Sequence, residues 1–175
     1  MPDISPDIFI EDFERTENTD FLHGVLGRSL ILATRFDAMC DSLALAMDLR
    51  YARVKPEMTD EKFVILVEAA TTRYRSLNNN IDSLGMPDQV AAVLHRSRKA
   101  RNAIAHSLAT GLTGCLDLKI GTSQFLDDIT RLIEDIVIGD VIVSMLVSVF
   151  NNERIPNKQF INSYKSKMLK WVVCE

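Results

Sequence analysis

The sequence has little cysteine, little histidine and no long uninterrupted apolar run, and each shortage argues against a class of protein. The three cysteines, Cys40, Cys115 and Cys174, are odd in number and form no CxxC pair, so neither a disulfide framework nor a zinc site is indicated. The longest apolar run, from Ile136 to Phe150, contains Asp140 and is too short to span a membrane. No Gly-rich phosphate loop, HExxH motif or GxSxG motif occurs. We therefore expect no metal, no cofactor and no membrane association.

The composition that is present is typical of one globular domain. The chain has 175 residues, of which 47% are hydrophobic and 25% charged, which argues against a disordered or fibrous protein. Its first 20 residues are acidic, whereas a signal or transit peptide needs basic residues. We expect an acidic N-terminal arm over residues 1–19, a single helical domain over residues 20–175 and a location in the cytoplasm.

Apolar residues recur at helical spacing along most of the chain and predict a helical bundle. The predicted helices span residues 20–50, 59–77, 87–109, 122–150 and 158 onward. We expect residues 78–80, three consecutive asparagines, to end the second helix. Short connections between long helices imply antiparallel neighbours, so the predicted fold is an all-α, four- to five-helix up-and-down bundle. Alternation of apolar and polar residues indicates a short edge strand or hairpin near residues 115–120.

Six residues on the third predicted helix, Arg101-Asn102-Ala103-Ile104-Ala105-His106, carry the most informative chemistry. They place a guanidinium, an amide and an imidazole on little more than one helical turn, a combination that can bind a phosphate and move a proton. A shuffled chain of this composition would show Arg-Asn with a His five residues after the Arg only about 0.01 times. The alternative interpretation is a surface helix on which the three residues occur together by chance.

Helical spacing predicts how these side chains are arranged. Arg101 falls on the apolar line of its helix, so its guanidinium needs an acceptor. Asn102 and His106 are four residues apart and share a face, whereas Arg101 lies about 140° of helical rotation from His106. The acceptor for Arg101 is either an incoming phosphate or one of three candidate carboxylates on the first two helices, Asp37, Asp41 and Glu68.

The segment resembles the R-x4-6-H motif of HEPN domains, an all-helical family of metal-independent ribonucleases and RNA-binding relatives, in the form in which Asn follows the Arg. The resemblance implies that His106 handles the proton of the RNA 2′-hydroxyl, that Arg101 holds the scissile phosphate and that Asn102 orients either of them. It also implies a product with a 2′,3′-cyclic phosphate and a role in a toxin or antiviral defence system. A cognate antitoxin or a defence-system protein is then an expected partner.

One feature of the family subgroups is missing from this chain. Ser107-Leu108 departs from the subgroup in which Tyr stands two residues after the His. Toxins that are controlled by transfer of AMP to that Tyr are therefore not matched.

One copy of the motif is chemically incomplete for RNA cleavage. In-line attack needs a base at the 2′-hydroxyl and an acid at the leaving oxygen, and the segment offers a single His. Two copies that face each other across a symmetric interface would supply both groups, which matches the dimer that the HEPN resemblance implies. The apolar run from Ile136 to Phe150 is the candidate for additional core or for the surface of a homodimer.

Charge is distributed in a way that favours local contact with RNA. The net charge is −4, but residues 50–106 contain more Lys and Arg than Asp and Glu. Arg96, Arg98 and Lys99 extend a basic edge along the motif helix, with His95 beside it, and we predict that this edge contacts the RNA backbone. Because Lys and Arg are common on exposed helices, a solvated surface is the alternative for each of them.

Three functions are compatible with the sequence. The first is a metal-independent endoribonuclease that cleaves RNA by 2′-hydroxyl attack at a composite dimer site. The second keeps the fold without catalysis, as an RNA- or nucleotide-binding or regulatory scaffold module. The third is a helical structural protein in which the motif is fortuitous. Cleavage of RNA by the purified protein separates the first function from the other two.

Overall fold

The computed structural model of the chain describes residues 17–53, 58–73, 76–108 and 122–173. These ranges are mostly helical and contain no strand, so the prediction of an all-α fold is confirmed within them. A π-helical segment, Ala103–Leu108, directly continues the motif helix. The six α-helices are α1 Glu17–Arg53, α2 Asp60–Arg73, α3 Leu77–Ser83, α4 Asp88–Asn102, α5 Thr122–Phe150 and α6 Lys158–Val173.

Side-chain caps begin two of the predicted helices where the sequence placed them. The Thr59 hydroxyl accepts a hydrogen bond from the Lys62 backbone N–H at the start of α2. The Asn157 side chain accepts one from the Phe160 N–H, at 2.8 Å, at the start of α6. Each cap satisfies a backbone donor that the first helical turn leaves without a partner.

The helix count differs from the prediction because one short helix was not expected. The Ser76 hydroxyl accepts a hydrogen bond from the Asn79 N–H, at 3.2 Å, and caps α3. Residues 78–80 therefore lie inside a helix and do not end one, because a serine cap starts a new helix just before them. The described residues hold six α-helices, where four or five were predicted.

Two other predictions concern the ends of described segments. Residues 17–19, which the sequence assigned to the acidic arm, form the first turn of α1. The remaining part of the arm, residues 1–16, and the strand or hairpin predicted near residues 115–120 lie outside the described residues.

The central helix of the bundle is α1, which has 37 residues and contacts each of the other five α-helices and the π-helical segment. Burying a large apolar side chain stabilises the fold by about 1.5–3 kcal/mol. The core is formed mainly between α1, α4 and α5, and its largest fully buried side chains include Phe36, Leu94, Ile104, Phe125, Ile129, Ile133 and Ile136.

Gly139 on α5 allows α4 and α5 to approach each other closely. A Cβ at this position would lie 2.4 Å from Ser97 Oγ and 2.9 Å from Phe36 Cε2, so these side chains would have to shift to make room for it. The Ser97 hydroxyl donates to the Asp135 carbonyl at 2.6 Å, and Arg96 Nε lies 2.8 Å from an Asp135 carboxylate oxygen. These contacts hold α4 in place and thereby fix the direction in which its motif residues point.

The apolar run of α5 is core over its first half and contains one buried charge. Ile136 and Val143 are fully buried, whereas Val149 near the end of the helix is exposed. Asp140 is also fully buried and accepts hydrogen bonds from Arg35 Nε, at 3.0 Å, and from the Tyr164 hydroxyl. None of the described helices combines the length and the apolar character that a membrane crossing needs.

Candidate functional site

A groove of about 540 Å³ opens beside the motif, between α1, α3 and α4. Its volume is within the range of small-molecule and cofactor sites. Because its walls come from three different helices, its shape depends on the packing of the whole bundle. The residues that line it are Thr34, Asp37, Ala38, Asp41, Ser76, Leu77, Asn78, Asn80, Arg98, Arg101 and Asn102.

Arg101 is held at the wall of the groove by two polar neighbours. Its Nη2 donates to Asp37 Oδ2 at 2.5 Å, and its Nη1 donates to Asn102 Oδ1 at 3.2 Å. The Arg101 and Asp37 side chains are 28% and 27% exposed, so both reach solvent. A charge-assisted hydrogen bond to a carboxylate fixes the plane of a guanidinium group. Arg101 is therefore oriented before any ligand arrives.

The position of Arg101 on its helix differs slightly from the sequence expectation. The sequence placed it on the apolar line, but the buried residue at this level is Ala100, between Ser97 and Ile104. Arg101 lies at the edge of the buried face, where its long side chain can leave the core. This position avoids burying the charge and explains why Asp37 can be partly exposed as well.

No described hydrogen bond or ion pair joins Arg101 to either of the other two candidate carboxylates. Asp41, one turn after Asp37 on α1, accepts a hydrogen bond from Asn80 Nδ2 at 3.4 Å. Glu68 is exposed on α2 and is not among the residues that line the groove. Of the three acids, the structure brings two to the groove and pairs one of them with the motif.

His106 is exposed on the π-helical segment and is not among the residues that line the groove. In a π-helix each residue turns less about the axis than in an α-helix, because hydrogen bonds close over five residues. The π-helical segment includes most of the residues between Arg101 and His106. The angle about the helix axis between these two side chains is therefore smaller than in a regular α-helix, where it is about 140°. The structure thus reduces the offset that the sequence predicted.

The three residues of the predicted basic edge point in different directions. Arg98 lines the groove, and its Nε donates to His95 Nδ1 at 3.4 Å. His95 Nε2 lies 3.0 Å from Asp82 Oδ1, so the imidazole links Arg98 to a carboxylate. Arg96 is paired with a carboxylate on α5, and Lys99 is exposed outside the groove lining. Of the three, the groove receives Arg98.

Asn80 is a groove residue that the sequence did not single out. It is 2% exposed, and its Oδ1 has no hydrogen-bond partner among the described residues. Helical spacing could have predicted its burial, because Asn80 shares a helix face with apolar residues. These residues are Leu77, Ile81 and Leu84, and all of them are buried. The run of three asparagines concealed this pattern by indicating a helix end.

Cys40 lies on α1 between the two aspartates of the groove and is buried. Burial, with the nearby carboxylates Asp37, Asp140 and Asp41, raises the pKa of its thiol to about 12. Because the thiolate is the reactive form, Cys40 is not a candidate nucleophile at neutral pH. No group of three or more His, Cys, Asp or Glu side chains in the described ranges is placed to hold a metal ion.

The groove therefore combines two guanidinium groups, two carboxylates and several amides, with an exposed imidazole on the adjoining turn. Such a set can bind a ligand that carries both an anionic group and hydrogen-bond donors. Comparison of the chain with protein-family models, with curated proteins and with solved structures finds no match.

Proposed function

We propose that the chain is a metal-independent endoribonuclease of the HEPN type, acting as a toxin or defence enzyme in the cytoplasm. The observation that supports this proposal most is the Arg101 guanidinium, fixed by Asp37 at the wall of the groove and 28% exposed. Asn102 lies beside it, and His106, which is exposed, follows about one turn later on the π-helical segment. Cleavage of a phosphodiester by 2′-hydroxyl attack requires proton transfer and a cation oriented towards the phosphate, and the motif carries an imidazole and an oriented guanidinium.

In the proposed reaction, His106 accepts the proton from the 2′-hydroxyl of the RNA. The 2′-oxygen bonds to phosphorus, and the bond from phosphorus to the 5′-oxygen breaks. Arg101 compensates the charge that develops on the phosphoryl oxygens. The leaving 5′-oxygen takes a proton from a second imidazole, which the facing motif of a homodimer supplies. The products are a 2′,3′-cyclic phosphate and a 5′-hydroxyl.

The Asp37 pair leaves Arg101 able to bind a phosphate. A guanidinium has five N–H donors, of which Asp37 and Asn102 each take one. The remaining donors suffice for contact with phosphoryl oxygens. The carboxylate therefore acts as a support for Arg101 and does not replace its ligand.

The test is cleavage of RNA by the purified protein in the presence of EDTA. We expect His106→Ala to lower the cleavage rate by about 10²–10⁴-fold and Arg101→Ala by about 10²–10³-fold. His23→Ala and Arg131→Ala, which change exposed residues on α1 and α5, are matched controls and should keep the wild-type rate. An unchanged rate in either motif variant contradicts the proposal, provided that both variants retain helical circular dichroism.

A second function, an RNA- or nucleotide-binding or regulatory module without catalysis, is favoured by one specific observation. The groove and both of its arginines belong to a single chain, whereas His106 is not part of the groove lining. A binding site can therefore be complete in one chain when a cleavage site is not. RNA binding by the wild type without cleavage in any buffer would support this function.

A further inference from the structure

The groove has one wall that phosphate binding does not explain. The wall from α4 presents hydrogen-bond donors, namely the guanidinium groups of Arg98 and Arg101. The wall from α1 and α3 presents Asp37, which is bonded to Arg101, together with Asp41 and Asn80. A carboxylate in a groove for RNA repels the phosphate backbone. Asp41 therefore weakens binding unless it accepts hydrogen bonds from another part of the ligand.

Asp41 does not support a described charged side chain in the way that Asp37 supports Arg101. Asp37 is the carboxylate that supports Arg101, and the Asp41 side chain has one described hydrogen bond, which at 3.4 Å is long. In the described part of the chain it forms no ion pair. Its carboxylate, partly exposed at the groove, is therefore available to a ligand.

Asn80 supports the same interpretation independently. A side-chain amide that is 2% exposed normally has all its polar atoms paired, yet its Oδ1 has no partner among the described residues. The orientation of the amide follows from Asp41, because only Nδ2 can donate to a carboxylate. The unpaired atom is consequently an acceptor, and the donor that would satisfy it has to come from outside the described residues.

We propose that this wall recognises guanine. The Asp41 carboxylate accepts hydrogen bonds from guanine N1–H and from one hydrogen of the N2 amino group. Asn80 orients Asp41, and its Oδ1 accepts the second amino hydrogen. Arg98 and Arg101 on the α4 wall hold the phosphate of the same nucleotide. This inference rests on the proposed function in so far as it takes RNA as the ligand.

Guanine fits this wall better than the other bases because of the order of its donors and acceptors. A carboxylate has two acceptor oxygens side by side and no donor. Guanine offers two adjacent donors, N1–H and N2–H, which match that pair. Adenine and cytosine each place a ring acceptor beside their amino group, and uracil places carbonyl oxygens on both sides of N3–H. These acceptors would face the carboxylate and be repelled by it.

The remaining groove residues suit a single unpaired nucleotide. Ala38 and Leu77, on the same wall as Asp41 and Asn80, provide apolar surface that a base can contact. A volume of about 540 Å³ accommodates one nucleotide. Sequence-specific readers of RNA generally bind such bases in single-stranded segments, by contacts to their Watson–Crick edges.

The inference is tested with free mononucleotides, because their binding does not require cleavage. Guanosine and inosine 5′-monophosphates are titrated into the full chain and followed by NMR. Inosine lacks only the N2 amino group, so phosphate and ribose contacts cancel in the comparison. We expect the wild type to bind guanosine 5′-monophosphate at least about tenfold more tightly than inosine 5′-monophosphate. Equal affinities, or no binding of either nucleotide, would overturn the inference.

Asp41→Asn is the variant that isolates the carboxylate, and Glu134→Gln on the exposed side of α5 is its control for loss of one negative charge. We expect Asp41→Asn to reduce the ratio of the two affinities towards one, while Glu134→Gln keeps the wild-type ratio. A ratio that survives Asp41→Asn contradicts the assignment of that residue. The comparison in the wild type does not depend on whether the variant folds.

The outcomes distinguish this inference from the proposed function. Guanosine nucleotide preference without RNA cleavage in EDTA supports guanine recognition and contradicts the nuclease. RNA cleavage in EDTA together with equal nucleotide affinities supports the nuclease and contradicts guanine recognition.

Discussion

At the scale of single residues, Asp37 orients the Arg101 guanidinium at the groove. The two side chains form a 2.5 Å ion pair, and both are partly exposed. The sequence identified the motif and three possible carboxylate partners, but helical spacing did not distinguish among them. The distinction depends on how α1 is rotated against α4, which is a property of the packed bundle.

Asp37→Asn removes the negative charge while keeping the size of the side chain. We expect the turnover number for RNA cleavage to fall by about tenfold, because the guanidinium loses its charge-assisted support. The KM should not rise, since Arg101 keeps its positive charge and no longer shares it with a carboxylate. Steady-state kinetics in EDTA, with Glu134→Gln as the matched charge control, check this prediction. A variant with the wild-type turnover number would show that Asp37 does not support Arg101.

The Cys40 thiol provides a probe of the core beside the groove. Its pKa is raised to about 12 by burial and by the neighbouring aspartates, chiefly Asp37. In a protein with Cys115→Ser and Cys174→Ser, we expect no reaction of the folded chain with iodoacetamide at pH 8, and prompt reaction in urea. Mass spectrometry measures the alkylated fraction. Rapid alkylation of the folded protein would mean that Cys40 is accessible and ionised.

At the scale of secondary-structure elements, helical periodicity predicted the long helices but missed two short features near the site. The apolar spacing of α1, α4 and α5 is sustained over many turns, so it predicts both the helices and their buried faces. The short helix α3 was missed because its asparagines are typical of helix ends. The π-helical segment was missed because its hydrogen-bond spacing has no simple residue pattern.

The close packing of α4 against α5 depends on the absence of a side chain at residue 139. We expect Gly139→Ala to lower the free energy of unfolding by about 1–3 kcal/mol, because the added Cβ would overlap Ser97 and Phe36. The matched control is Gly27→Ala on α1, where nothing lies within 4 Å of the added atom. That change should leave stability unchanged or raise it by up to about 1 kcal/mol.

Urea denaturation followed by circular dichroism measures both glycine variants. Equal stability of the two variants would contradict the close approach of α4 and α5. It would also remove the physical reason for the direction in which α4 presents the motif.

The Tyr164 hydroxyl on α6 donates a hydrogen bond to Asp140 on α5. Its titration should make the stability that this contact provides depend on pH. Burial, followed by the hydrogen bond to Asp140, raises the pKa of Tyr164 from 10.0 to about 12. A pKa that is higher in the folded state means a stabilising contribution that is complete below pH 10 and is lost as the pH rises towards 12. The wild type should therefore be more stable than Tyr164→Phe at pH 7, by about 1–3 kcal/mol.

That difference in stability should shrink between pH 10 and pH 12. Measuring both proteins by urea denaturation at each pH cancels the titration of lysines, which the two proteins share. A difference that stays constant up to pH 12 would contradict the hydrogen bond between Tyr164 and the buried Asp140.

At the scale of the whole molecule, the groove and the cleavage chemistry have different requirements. The groove is formed by three helices of one chain. Its two arginines, its carboxylates and its buried amide all come from that chain. The proposed cleavage needs a base at one oxygen of the scissile phosphate and an acid at the other, and the motif supplies one imidazole. In the proposed enzyme, the groove of one chain is therefore sufficient to bind RNA, whereas cleavage requires the motifs of two chains.

The composite site was inferred from the chemistry of the motif, and its geometry lies beyond what one sequence can specify. Periodicity identifies apolar faces, but it does not determine which of them contacts a second copy of the chain. The same holds for the proposed facing arrangement of two His106 side chains, which would depend on a symmetry axis that no local pattern encodes.

The central claim is that Arg101 to His106 form half of a cleavage site, and the rate of RNA cleavage by mixed subunits tests it most directly. Wild type and His106→Ala are mixed in denaturant, refolded together at constant total concentration and assayed in EDTA. If both imidazoles of a dimer are required, an equal mixture should have about one quarter of the rate of refolded wild type, and the rate should follow the square of the wild-type fraction. A rate of about one half, proportional to that fraction, would place a complete site within one chain, and no cleavage by the wild type would contradict the nuclease itself.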